Sequence, residues 1–199
     1  MKRFRASYSI LSAWESGQYQ RAVEMYFGIG GIETKAMRDG KRFHEAWAEE
    51  TKKTGCLPEI FGGRKLIAPK PELNVIAELT PWLDLSGFID CLDGSTIYEY
   101  KTGSTESSVY ANGWQVYVYQ LLAKFYGQDT KLAFVLHHDQ YLKRNDTSIV
   151  HLTDATLRSA TEWVLTNSHA MHTYLLRNNL YRELEPHATR LALLEERYA

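Results

Sequence analysis

Leu85-Ser86-Gly87-Phe88-Ile89-Asp90-Cys91-Leu92-Asp93-Gly94-Ser95-Thr96-Ile97-Tyr98-Glu99-Tyr100-Lys101 decides the fold. Leu85 to Leu92 and Ser95 to Tyr100 read as strands, and the Asp93-Gly94 between them is a strong hairpin signal. With Asp93-Gly94 as a two-residue loop, Leu92 faces Ser95, Asp90 faces Ile97 and Phe88 faces Glu99. Side chains alternate along a strand, so Asp90, Glu99 and Lys101 emerge on one face, with Asp90 and Glu99 diagonal neighbours about 7 Å apart at Cα. Two carboxylates and an ammonium then converge. The acids offer hard oxygen ligands to a divalent cation, and the lysine stands beside a metal-bound water, which is a hydrolytic arrangement. A Glu-x-Lys taken alone is more often the exposed face of an amphipathic strand.

Upstream, Asn74 to Leu79 is a third strand, whose Glu78 either adds a carboxylate for a second metal ion or lies on an exposed edge. The Gly- and Pro-rich stretch Thr54 to Pro71 separates it from two segments with helical spacing, Tyr8 to Tyr26 and Thr34 to Lys53. His44, in the second, sits beside Phe43 and Trp47 and by itself reads as packing. Downstream, Ser107 to Tyr126 is expected to be a helix, Leu132 to His137 and Ser148 to Leu152 strands, and Asp154 to Leu180 a long helix capped by Thr153 or Asp154. Gln115 and Tyr119 lie one turn apart on one helical face. The expected fold is mixed α/β with a central sheet flanked by helices.

Composition narrows the partners. At 199 residues and 44% hydrophobic content, one domain with a full core is expected. With 23 basic and 24 acidic side chains and a net charge of −1, no global positive field marks a nucleic-acid binder, so DNA contact needs a local patch. Cys56 and Cys91 are too few for a four-thiolate iron-sulfur cluster and read as free intracellular thiols. No window approaches a membrane-spanning run. His137 and His138 are adjacent in a strand and face opposite sides, and His169 and His172 are expected to face solvent. Gly28, Gly30 and Gly31 follow a helix without a Gly-Lys-Ser/Thr, which disfavours nucleotide binding.

The ordered motifs resemble the RecB-like branch of the PD-(D/E)XK nucleases, from Tyr8 to about Tyr119. Gly87 to Asp90 looks like the family's Gly-x-x-Asp strand, and Glu99-Tyr100-Lys101-Thr102-Gly103 like its acidic-x-Lys strand with Thr-Gly. Gln115 to Tyr119 fits the Gln-x-x-x-Tyr helix, Gly40 to His44 the Gly-x-x-x-His segment, and Tyr8 to Ser12 the opening helix. The resemblance implies a restriction-endonuclease-like core over 72–152, a helical lead-in over 1–56 carrying His44, and C-terminal helices over 153–199. It implies catalysis by Asp90, Glu99 and Lys101 and metal binding by His44, Asp90, Glu99 and the Tyr100 carbonyl, with Gln115 and Tyr119 on the substrate. The cofactor would be Mg²⁺ or Mn²⁺, as one or two ions, without an iron-sulfur cluster. The expected function is a DNA exonuclease in recombination, repair or phage-type replication, working alone or with a recombination, replication or helicase partner. It would be intracellular, in cytoplasm, nucleoid or a virus-infected host cell. The same metal centre would also serve a structure-specific or nicking endonuclease, and a degenerate copy a non-catalytic DNA-binding scaffold.

Overall fold

A computed structural model of the protein describes residues 3–29 and 33–180. The chain forms two compact units, one from Met1–Ile32, Ile76–Ser86 and Glu162–Ala199, the other from Glu33–Val75 and Gly87–Thr161. Gly30, Gly31 and residues 181–199, the end of the expected C-terminal helices, lie outside the described residues.

In the first unit, β1 (Phe4–Ser7) runs parallel to the start of β3 (Leu83–Asp93), with Phe4 opposite Leu83 and Ser7 opposite Ser86. Strand β1 was not foreseen. The expected helix from Tyr8 to Tyr26 is two helices, α1 (Tyr8–Glu15) and α2 (Tyr19–Tyr26). The break falls at Gly17, whose φ of +78° is costly for any other residue. The apolar centre includes Phe4 stacked on Tyr26, with Leu11, Leu83 and Leu85 fully buried. From Glu162 onward, α6 (Asp154–Arg177) adds Met171 and Leu175 to this core, and the Trp163 indole donates to Glu15 Oε1 at 2.7 Å. His169 is exposed as expected, but His172 is half-buried and stacked on Trp82, because an imidazole face is apolar enough to pack on an indole. Burial lowers its pKa.

In the second unit, α3 (Lys35–Thr54) starts at Thr34, whose hydroxyl accepts from Met37 N–H, and stops at Gly55 in the left-handed conformation. The strands run in the order β3, β4 (Thr96–Thr102), β5 (Leu132–Asp139), β6 (Arg144–His151). β3 and β4 are antiparallel, β4 and β5 parallel, and β5 and β6 antiparallel, so the sheet is mixed. Strand β2 (Pro69–Thr80) also pairs with β3. Along β4, Tyr98 and Tyr100 enter an aromatic core with Trp47, Leu57, Leu66, Cys91 and Leu136. Glu99 and Lys101 therefore project from the opposite face.

Two local expectations need correction here. The hairpin loop is Gly94-Ser95, since Asp93 pairs with Thr96 and Leu92 with Ile97. Gly94 takes φ +55° at the first loop position while Ser95 stays out of that region, the pattern of a type II′ turn. Asp93 is thereby freed to accept from the backbone N–H groups of Ile67 and Ala68. The register moves by two in total, so face assignments survive, and the pairing ends at Cys91–Tyr98, beyond which the Asp90 carboxylate instead of the β3 backbone takes the Tyr100 N–H. The expected helix Ser107 to Tyr126 is likewise two, α4 (Ser107–Ala111) and α5 (Trp114–Phe125), broken where Gly113 turns extended to cap α5.

Candidate active site

All the charged groups that converge lie in the second unit. Asp90 Oδ1 is 3.3 Å from His44 Nδ1, and Asp90 Oδ2 accepts the Tyr100 backbone N–H at 2.7 Å. The amide of Tyr100, not a side chain, thus fixes the carboxylate. Lys101 Nζ lies 2.5 Å from Glu99 Oε1 and donates to Gln115 Oε1 at 2.9 Å, while Gln115 Nε2 donates to the Tyr119 hydroxyl at 2.9 Å. Gln115 spends its acceptor on the lysine and a donor on the tyrosine, so its amide orientation is determined. Tyr110, unforeseen because the helix break at Asn112-Gly113 sets its phase, puts its ring 5.2 Å from Lys101 Nζ.

Two glycines permit this convergence. A Cβ on Gly40 would come within 3.1 Å of Thr102 Oγ1, so α3 lies against the end of β4 and His44, one turn on, reaches Asp90. A Cβ on Gly87 would stand 2.7 Å from Cδ1 of the fully buried Leu122, so a residue without a side chain at 87 eases the approach of α5 to β3.

The electrostatics are strained. Burial pushes Glu99 up to about 8, and the Asp90 carboxylate adds to the rise against the pull of Lys101. Burial would raise Asp90 as well, but the hydrogen bond and charge of His44, with Lys101 and the Tyr100 N–H, hold it below the usual carboxylate range. Burial would lower His44 and Lys101, yet Asp90 carries His44 above its ordinary value, and Glu99 with Asp90 does the same for Lys101. The Lys101 and Glu99 directions conflict: the ammonium holds its charge while its partner is driven toward neutrality. The 2.5 Å contact serves the Glu99 carboxyl in either form, and its elevation reflects what burial beside a second carboxylate costs the charge.

Among the described residues, no three His, Cys, Asp or Glu side chains are grouped closely enough to hold a metal ion by themselves. Glu99 Oε2, however, is buried without a hydrogen-bond partner, next to the second carboxylate of Asp90. An orphaned carboxylate oxygen beside another acid, at low exposure, is the donor set a hard divalent cation would relieve, so these residues fit one.

Glu78 belongs to the first unit, where its carboxylate is 3.0 Å from Arg3 Nη1. His137 is buried with Nδ1 2.5 Å from Asp146 Oδ1 and Nε2 2.8 Å from the Gly103 carbonyl. It anchors the turn that follows Lys101, while His138 on the other side of the strand bonds Asn145. No helix among the described residues is long and apolar enough to cross a membrane.

An aspartate opposite a Glu-x-Lys strand, on a mixed sheet flanked by helices, defines a restriction-endonuclease-like fold. The sequence matches the PD-(D/E)XK nuclease superfamily over residues 2–190, and the chain belongs to that superfamily. No curated protein is a match to it. Similar solved structures include a Eubacterium rectale protein assigned as an exonuclease, 17% identical with a TM-score of 0.59 over 90% of this chain and 83% of that one. An alkaline exonuclease from Laribacter hongkongensis is 14% identical, with a TM-score of 0.51 over 89% of this chain and 94% of its own. At such identities the likeness is one of fold.

Proposed function

We propose that this chain is a divalent-metal-dependent DNA exonuclease of the RecB-like kind, working on DNA ends in recombination, repair or phage-type replication. The observation that carries the proposal is the buried Glu99 carboxylate, half of it unpartnered, facing Asp90 and touching Lys101. Charges so arranged destabilise a fold and are explained by chemistry done on a charged ligand. Asp90 and Glu99 would hold the cation, with His44 and the Tyr100 carbonyl as further donors. A bound Mg²⁺ or Mn²⁺ supplies Lewis acidity and a water of lowered pKa. Lys101, held as an ammonium, would orient the attacking water and offset the charge that builds on the phosphate. Gln115 fixes the ammonium, and Tyr119 fixes Gln115. The exonuclease name of the Laribacter protein of similar fold supports end-directed cleavage over internal nicking.

End-labelled linear, nicked and covalently closed circular DNA, each incubated with Mg²⁺ or Mn²⁺, test the proposal. Linear DNA should be degraded from its ends and closed circles spared, with Asp90→Ala, Glu99→Ala and Lys101→Ala each lowering the rate by orders of magnitude. Nicking of closed circles would replace the exonuclease with an endonuclease on the same site. Wild-type turnover in any of the three variants would remove that residue from catalysis.

A further inference from the structure

The cleft that reaches Asp90 has a wall for which metal binding and hydrolysis have no use. Its volume is about 560 Å³, and His44 and Asp90 line it together with Met37, Lys41 and Phe88. Phe88 precedes Asp90 by two residues on β3, so both side chains leave the same strand face. Its neighbours on the other face, Ile89 and Cys91, are fully buried, whereas Phe88 is 61% exposed. Met37 is 54% exposed, and Met37, Lys41 and His44 follow one another at helical spacing along α3. A scattered exposed apolar residue needs no explanation, but two in the cleft that opens on His44 and Asp90 do.

A hydrated phosphate and metal gain nothing from an exposed phenyl ring and thioether. A ligand that joins an anionic group to a flat apolar face would cover both, with the anion at the carboxylate end and the flat face on the wall. Lys41, on the same wall, offers a cation to a neighbouring phosphate.

Resting on the nuclease proposal, we infer that Phe88, with Met37 beside it in the cleft, is a stacking platform for the nucleobase adjacent to the phosphate at Asp90, Glu99 and Lys101. A base can lie on this wall only after leaving the duplex stack, so Phe88 makes the site select an unpaired or unpaired-end strand. Every base has a π face, so the selection is for strandedness and not for sequence.

The test is binding of the full chain, with Ca²⁺ in place of Mg²⁺ so that the acids hold a cation while hydrolysis is held back, to fluorescent single-stranded oligonucleotides of mixed sequence. One set carries all its bases, and the others carry a single abasic site moved stepwise from the end. For wild type, one abasic position should weaken binding roughly 5- to 100-fold, the range of one aromatic–base stack. Phe88→Ala should weaken the complete strand by a similar factor and be indifferent to that abasic position, while Phe88→Trp retains both affinity and sensitivity. Wild-type affinity in Phe88→Ala, or a loss that persists undiminished at every abasic position, overturns the inference. If the wild type digests linear DNA with Mg²⁺ and Phe88→Ala still binds normally, only this inference fails. If the wild type neither binds nor cleaves DNA, the nuclease proposal fails with it.

Discussion

Replacing Glu99 by Gln should stabilise the metal-free protein at neutral and alkaline pH while removing its response to metal. Glu99 is 1% exposed and its carboxyl is pushed from 4.5 to about 8, first by burial and then by Asp90. At about 1.36 kcal/mol per pKa unit, this elevation costs the folded state roughly 3 kcal/mol at pH 7, where the carboxyl keeps its proton, and at most about 5 above pH 8, where it is ionised. Glutamine removes that cost, keeps an oxygen for Lys101, and gives up the attraction of the ion pair, so a net gain of roughly 1–3 kcal/mol is expected at pH 8. The sign follows from proton uptake. Between about pH 4.5 and pH 8 the folded protein retains a proton that the unfolded chain has lost, so wild-type stability falls as pH rises through that window. His44, also raised, adds to the fall above its ordinary value of 6.5; Asp90, lowered, acts only below about pH 4 and in the opposite sense. Urea unfolding in EDTA from pH 5 to pH 8, on wild type and Glu99→Gln, measures these slopes. The variant should show a shallower slope, and added Mg²⁺ should stabilise wild type most at pH 8, where its carboxylate is free to bind. Wild-type stability that is flat or rising across the window, or a variant weaker than wild type at pH 8, would falsify this account of the site.

Three further outcomes are expected. His44→Ala should lower metal affinity by calorimetry, more for Mn²⁺ than for Mg²⁺ because imidazole favours the former; unchanged affinity with a lower melting temperature would assign His44 to packing with Trp47. Gln115→Ala should slow cleavage about 10- to 100-fold, as expected for a residue that orients another, and Tyr119→Phe less, since the amide that holds Lys101 remains; equal wild-type rates would leave α5 a packing element alone. Gly40→Ala should leave stability nearly unchanged, helix propensity offsetting the 3.1 Å approach to Thr102 Oγ1, yet weaken metal binding by displacing His44. Adding Thr102→Ala should restore that binding, and no restoration would mean that the close approach does not set His44.

The hairpin chemistry was legible because strand alternation is strict. Placing the turn one residue early moved every rung by two, and Asp90, Glu99 and Lys101 stayed on one face. An error of one in register, instead of two, would have separated the acids. What escaped notice depends on distant partners or on single backbone torsions. Strand β1 has four residues and finds its partner at Leu83 to Ser86, far along the chain, where no local pattern points. The breaks at Gly17 and Gly113 interrupt helical periodicity that is otherwise continuous on both sides. His172 carries no sequence mark distinguishing it from His169, since only the place of Trp82 in the fold decides which imidazole is covered.

The spaced motifs also carry a physical meaning that spacing alone does not express. In Gly-x-x-x-His and Gly-x-x-Asp the glycine is not chemistry but an approach distance. Gly40 lets a helix come against the end of β4, and Gly87 lets another come against β3. The first brings an imidazole to within 3.3 Å of Asp90. The second seats the helix whose Gln115 reaches Lys101 across 2.9 Å. The polar residues of the motifs therefore depend on the small ones for their geometry. The four-residue spacing in helix α3 sets Gly40 and His44 on one face, one turn apart, so the missing Cβ and the inward-reaching imidazole belong to the same contact. The charged groups so gathered are costly to bury and stay so in the metal-free chain, as the unpartnered Glu99 oxygen records. A cation between the two acids would turn that cost into binding affinity, which ties the packing role of the glycines to the metal dependence proposed for the site.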